Sequence, residues 1–158
     1  DPALPLQVVH LGGAMSEDMT REALEHAARD RRYRWLGELP HALAMRWLAR
    51  SHVMVISSHM EGGAHVVSEA IGAGVPVIAS RISGNVGLLG KDYAGYYKTG
   101  DAKALARLLK RCVEEPNYLK GLTRQVMKRR ALVDPRSERR ALARLMVEMG
   151  KLSAGRRR

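Results

Sequence analysis

The sequence predicts an α/β fold: a three-layer, Rossmann-like arrangement with a doubly wound parallel sheet and a helical C-terminus. Three observations carry this expectation. Short apolar runs alternate with longer amphipathic stretches through roughly the first hundred residues, the rhythm of repeated strand–helix units. The runs are continuous rather than alternating, as in strands covered on both faces. Beyond Gly100 the apolar spacing is helical throughout.

The elements follow in order. Residues 6–11 (Leu-Gln-Val-Val-His-Leu) form a strand stopped by Gly12 and Gly13. Ser16 is placed to cap a helix that reaches about residue 29. Residues 33–36 form a second strand, ended by Gly37, and Pro40 opens a helix to about residue 50. Residues 52–57 are a third strand. A short helix over 65–73 is closed by Gly74, and residues 75–80 and 95–98 supply the fourth and fifth strands. Asp101 caps a helix with Leu105, Leu108, Leu109 and Cys112 on one face. Pro116 starts another that runs to about residue 132. Asp134-Pro135 begins the last helix, with Leu142, Leu145, Met146 and Met149 at helical spacing, and the Arg156, Arg157, Arg158 end is expected to fray. His10 and His52, in or beside strands, are expected in the core.

A chain of 158 residues is the size of one domain with a sizeable core. Apolar residues at 46% and charged residues at 27% indicate a globular protein. Phe is absent, so the core is built from Leu, Val, Ile, Ala and Met. The single cysteine, Cys112, excludes an internal disulfide and fits a reducing, cytoplasmic setting. No apolar run approaches the roughly 18 residues of a membrane span, and no signal peptide is visible. The chain opens on Asp1 rather than Met, consistent with a start inside a longer protein or with processing.

The net charge of +11 is unevenly placed. Residues 1–102 hold 10 Lys/Arg against 11 Asp/Glu, and residues 103–158 hold 17 against 5. With the last helix beginning at Asp134-Pro135, we divide the chain into a Rossmann-like ligand-binding domain over 1–133 and a basic helix and tail over 134–158. The asymmetry raises a basic nucleic-acid-binding or protein-interaction domain as the alternative function. Lys128, Arg129, Arg130, Arg136, Arg139, Arg140 and Arg144 are not interleaved with aromatics, however, and no reader motif accompanies them. A solvated helix face is the simpler reading, and nucleic acid is not the expected partner.

The stretch Glu61-Gly62-Gly63-Ala64-His65-Val66-Val67-Ser68-Glu69-Ala70 carries the chemistry. It leaves a buried strand and enters a helix, at the carboxyl end of a parallel sheet where such folds bind ligands. Gly62 and Gly63 have no side chains to block a close approach. The helix start offers backbone N–H groups and a positive dipole end, a ready site for a pyrophosphate. Glu69, one turn in, is suited to accept two hydrogen bonds from a vicinal diol such as ribose O2 and O3. Glu61, at the strand end, is the catalytic candidate, placed to hold a sugar hydroxyl. The plain alternatives are a tight turn at the glycines and a glutamate that only complements the helix dipole.

Other constellations are weaker. His59, Glu61 and His65 have the residue types of a metal site, but there is no His-Glu-x-x-His pattern. Ser57, Ser58 and Ser68 lack a Gly-x-Ser-x-Gly elbow. Cys112 reads as core. Arg81, after the fourth strand, reads as a surface arginine or a cleft residue.

The two glutamates, with seven residues between them, continue into Ala70-Ile71-Gly72-Ala73-Gly74-Val75-Pro76-Val77-Ile78-Ala79-Ser80. This stretch of about twenty residues resembles the donor-site motif of retaining GT-B glycosyltransferases, family 4 in particular. The order of elements extends the likeness over about residues 6–115. The resemblance implies that Glu69 binds the ribose of a nucleotide sugar, most naturally a UDP-sugar. It places Glu61 at the transferred sugar, with Gly62, Gly63, Ala64, His65, Val66 and Val67 around the diphosphate. It sets Tyr33-Arg34-Trp35-Leu36-Gly37-Glu38-Leu39 where the base is read, against Trp35 and Leu36; a core tryptophan is the plain alternative. It implies no bound metal, and it implies an N-terminal acceptor domain outside this chain.

Two departures qualify it. The Gly63-Ala64-His65 sequence is unusual for the broad family. Together with Ser83-Gly84-Asn85-Val86-Gly87-Leu88-Leu89-Gly90 and Asp92-Tyr93-Ala94-Gly95-Tyr96 it is similar to a subgroup that includes selenosugar synthases. The basic loop that follows the first strand of such donor domains has no counterpart, since Gly12-Gly13-Ala14 runs into Ser-Glu-Asp. Residues 6–11 then stand as the second strand of the domain, with its first βα unit absent. The chain alone is expected to bind donor weakly and not to turn over.

Overall fold

A computed structural model of the chain describes residues 3–60 and 65–155. Strands β1 (Val8–His10), β2 (Tyr33–Trp35), β3 (Met54–Ile56), β4 (Val77–Ser80) and β5 (Tyr96–Tyr97) alternate with helices α1 (Glu17–Arg29), α2 (His41–Arg50), α3 (His65–Ala73) and α4 (Ser83–Leu89). Helices α5 (Ala102–Glu114), α6 (Pro116–Lys128) and α7 (Pro135–Gly155) follow, with a 3-10 turn over Arg130–Leu132 between the last two. The predicted α/β class holds, and every strand pairing is parallel.

The strands form two blocks rather than one sheet. β1 pairs with β2, with Val8 opposite Tyr33, and β3, β4 and β5 pair in that order. All four residues of β4 are fully buried, as its apolar run predicts for a strand covered on both faces. β1 and β3 depart from that expectation, for Val8 and Val55 keep 39% and 42% of their surface exposed. An apolar strand is buried only where neighbours exist on both sides, and β1 and β3 are block edges. His10 and His52 are exposed as well, so the core expectation for them fails. His10 instead shares a 2.6 Å hydrogen bond with the Tyr33 hydroxyl across the β1–β2 pair.

The core lies around β4: Val67, Ala70 and Ile71 from α3, Leu89 from α4, Cys112 from α5, and Leu122 and Val126 from α6. Tyr93 closes one edge, its hydroxyl donating to Val77 O at 2.6 Å and accepting from Val77 N at 2.9 Å. Burial pushes that phenol far up from its ordinary pKa. Gly95 lets β5 approach, since a Cβ there would lie 2.4 Å from Val77 O. Cys112 is core as expected, and burial raises its thiol to about 11.

The caps are where the sequence puts them. Ser16 Oγ accepts from Met19 N and Asp101 Oδ1 from Ala104 N. Gly74 ends α3 at φ +73, a conformation only glycine adopts without strain. α4 is not predicted by its sequence, because Gly84 and Gly87 are poor helix formers; Leu89 and Asn85, both buried, hold it against the core. α6 stops at Lys128, earlier than the predicted residue 132, and the chain tightens into the 3-10 turn. α7 packs on that turn and leaves Leu142, Leu145, Met146 and Met149 exposed. Arg156, Arg157 and Arg158 lie outside the described residues. No helix among the described residues is long and apolar enough to cross a membrane.

Candidate functional site

β3 ends at Ile56, and α3 begins at His65, its first-turn amides unpaired within the helix as at any helix start. Glu61, Gly62, Gly63 and Ala64 lie outside the described residues. The loop leading to them is anchored at its base. Ser80 Oγ donates to Ser58 O at 2.7 Å, and Asn85 Nδ2 donates to Ser80 O at 2.9 Å. Tyr97 Oη donates to Ile56 O at 3.3 Å. Ser80 and Asn85 are the buried polar side chains of the core, and Asn85 Oδ1 has no partner among the described residues. Sequence reasoning assigns neither a role. The available signal is a serine ending a wholly apolar strand and an asparagine inside a glycine-rich turn.

Along α3 the predicted residues divide by face. Val67, Ala70 and Ile71 are buried, whereas His65 and Val66 are exposed. The Val67 side chain belongs to the core, so only its amide is available to a ligand. Glu69 lies on neither extreme: its side chain is 33% exposed, and Oε1 accepts from His41 Nε2 at 2.8 Å. His41 is the first residue of α2, and no motif in the sequence marks it.

Trp35 and Leu36 are half-buried at the carboxyl end of β2. Trp35 Nε1 donates to Gly12 O at 2.9 Å, which fixes the indole and uses its one donor. Leu36 N donates to His10 O at 3.0 Å, and Gly12 N donates to Gly37 O at 2.8 Å. These bonds tie the segment to the turn after β1. The chain from Trp35 then turns at Gly37, enters α2 through Pro40, and places His41 on Glu69. The chain that leaves Trp35 and Leu36 thus reaches Glu69 through His41.

Arg81 does not join it. Arg81 is exposed, donates from Nη1 to Lys91 O at 3.2 Å, and lies over the Tyr96 ring at 5.1 Å. Burial raises the Tyr96 phenol to about 12. No group of three or more His, Cys, Asp and Glu is gathered among the described residues.

Comparison with known proteins bears on this geometry. The family model described as "Glycosyl transferases group 1" matches residues 4–131. The chain belongs to this family of glycosyl transferases. Its fold is similar to that of part of several larger solved proteins. Alr3699/HepE of Anabaena, solved with UDP-glucose, is 20% identical with a TM-score of 0.72, over 94% of this chain and 41% of that one. Sucrose-phosphate synthase of Thermosynechococcus elongatus is 23% identical at 0.72, over 94% and 39%. The α,α-trehalose 6-phosphate synthase of Burkholderia multivorans is 17% identical at 0.73, over 96% and 36%. This glycosyl transferase chain therefore spans about two fifths of the length of those structures, and at these identities the likeness is one of fold. No curated protein matches by sequence.

Proposed function

We propose that the chain is the donor-binding part of a retaining glycosyltransferase that uses a nucleotide sugar, a UDP-sugar in particular. The observation that carries the reading is Glu69. It is a carboxylate about one-third exposed, one turn into α3 at the carboxyl end of the sheet and close to the helix start, where the dipole is positive. A ribose diol fits the carboxylate, a diphosphate fits the amides, and the fixed face of Trp35 with the Leu36 backbone fits a base. The UDP and UDP-glucose complexes of the Anabaena protein of similar fold support the choice of nucleotide.

The work of the site in this reading is electrostatic. Negative charge grows on the leaving diphosphate as the sugar carbon becomes oxocarbenium-like, and oriented amides stabilise it without reorganising. The site needs no metal ion for this, and Glu61 holds the transferred sugar. The attacking group comes from an acceptor domain on a longer chain, so the 158 residues alone bind donor weakly and do not turn over. The transferred group in this reading is a hexosyl or an N-acetylhexosaminyl, and the likeness of the Gly63-Ala64-His65 block to selenosugar synthases favours the second.

The split sheet supports a missing first βα unit. A doubly wound sheet runs in the order 3-2-1-4-5-6. If β1 is the second strand, the observed blocks are β2-β1 and β3-β4-β5, with the place between β1 and β3 left for the first.

The test is thermal. A nucleotide at about a hundred times its Kd stabilises a domain by about 2.7 kcal/mol, and we expect UDP to raise the melting temperature and Glu69→Ala to abolish the rise. The basic alternative rests on the exposed Arg136, Arg139, Arg140 and Arg144 of α7. It prevails if UDP has no effect on the wild type and DNA binds with a steep salt dependence.

A further inference from the structure

His41 has no assigned role, yet it holds the carboxylate on which the donor site depends. Its Nε2–H donates to Glu69 Oε1 at 2.8 Å across two helices. The imidazole is not there for packing, since 76% of its side chain is exposed. Its position is nonetheless well defined. Pro40, with φ −52, sets the entry to α2. Further along α2, Leu48 is buried and Met45 lies against the core that Val67, Ala70 and Ile71 of α3 enter. The starts of the two helices are therefore fixed relative to each other.

A glutamate side chain that is one-third exposed samples several rotamers, and a vicinal diol needs it in one. A charge-assisted hydrogen bond from an imidazole carried at the fixed start of α2 favours that rotamer. It also leaves the diol enough acceptors. Glu69 Oε2 has no partner among the described residues, and Oε1 keeps a second lone pair.

We propose that His41 is a positioning residue of the donor site, orienting the Glu69 carboxylate for the ribose hydroxyls. The proposal rests on the reading of Glu69 as the diol acceptor. It predicts an effect confined to the hydroxyls and transmitted only through Glu69.

The experiment measures the Kd of UDP and of 2′,3′-dideoxy-UDP by calorimetry on the full gene product. The variants are His41→Ala, His41→Gln, Glu69→Ala and the His41→Ala/Glu69→Ala double. We expect His41→Ala to weaken UDP about threefold to tenfold, the worth of one such hydrogen bond. It should leave the dideoxy nucleotide unchanged and add nothing on top of Glu69→Ala. His41→Gln, whose amide donates from a similar reach, should restore most of the loss. An equal loss for both nucleotides, a loss that persists in the Glu69→Ala background, or no loss at all overturns the positioning role. UDP that binds in a Glu69-dependent way while His41→Ala is silent overturns this proposal alone. Absence of UDP binding to the wild type overturns the donor-site reading as well.

Discussion

In the β3–β4–β5 block every residue of β4 is out of contact with water, while in the β1–β2 pair Val8 keeps 39% of its surface exposed. The two regions are written in similar apolar residues, Val-Ile-Ala-Ser against Val-Val-His. Their burial differs because β4 has a strand on each side, α5 against it and the buried residues of α3 in the same core, whereas β1 is an edge. Apolarity states what a strand is able to bury; its neighbours decide what it does bury. The proposed donor site draws on both regions, with Glu69 and the α3 amides from the packed block and Trp35 and Leu36 from the open pair.

Substitutions measure the contrast directly. Ile78→Ala, in the middle of β4, should destabilise the chain by about 3 kcal/mol through lost burial and the cavity left behind. Val8→Ala should cost no more than about 0.5 kcal/mol, as for an exposed site. Chemical denaturation of the two variants compares them, and equal losses would erase the distinction. In a longer chain with a strand between β1 and β3, as proposed, Val8→Ala should rise above about 1 kcal/mol.

A change on the packed side of the site comes next in size. Glu69→Ala removes hydrogen bonds to a charged acceptor, so UDP affinity should fall about tenfold or more. The melting temperature without ligand should barely move, because Glu69 contributes little to the core. A large loss of stability with unchanged affinity would make Glu69 structural.

Ser80→Ala addresses the base of the Glu61 loop. It removes the 2.7 Å bond to Ser58 O and weakens the hold of Asn85, and should destabilise by about 1 kcal/mol. Denaturation of this variant checks the expectation, and no loss of stability would leave the loop base without its anchor role.

The smallest effect is one of pH, and it lies in the open pair. Asp30, hydrogen-bonded by the Arg32 side chain and backbone in the turn before β2, has its carboxyl lowered to about 2. A lowered acid contributes stability above its ordinary value of 3.8, and that contribution is lost as pH falls toward about 2. NMR titration should show the β1–β2 amides responding in that window before those of β4. Cys112 works in the opposite direction in the packed block. Its raised thiol contributes stability that is full below the ordinary value of 9.0 and is lost as pH rises toward about 11. Native protein at pH 8 should therefore react slowly with thiol reagents.

Much of this was legible in the residues. Ser16, Gly74 and Asp101 mark helix ends because caps act locally, and the strands are found where apolar runs lie between glycines. α4 was hidden because tertiary burial of Leu89 and Asn85, not helix propensity, forms it. The exposure of Val8, Val55, His10 and His52 was hidden because strand neighbours are a property of the whole sheet. Glu69 could be named from its motif, and His41 could not, since its bond to Glu69 spans 28 positions in sequence. Glu61, Gly62, Gly63 and Ala64 rest on the sequence alone.

The central claim is that one nucleotide bridges the packed and open regions. Hydrogen exchange followed by mass spectrometry, with and without UDP, tests it most directly. The account predicts slower exchange on binding at both the Trp35–Leu36 segment and the first turn of α3, His65 to Ser68. Protection at neither segment, or protection confined to the arginines of α7, would contradict it.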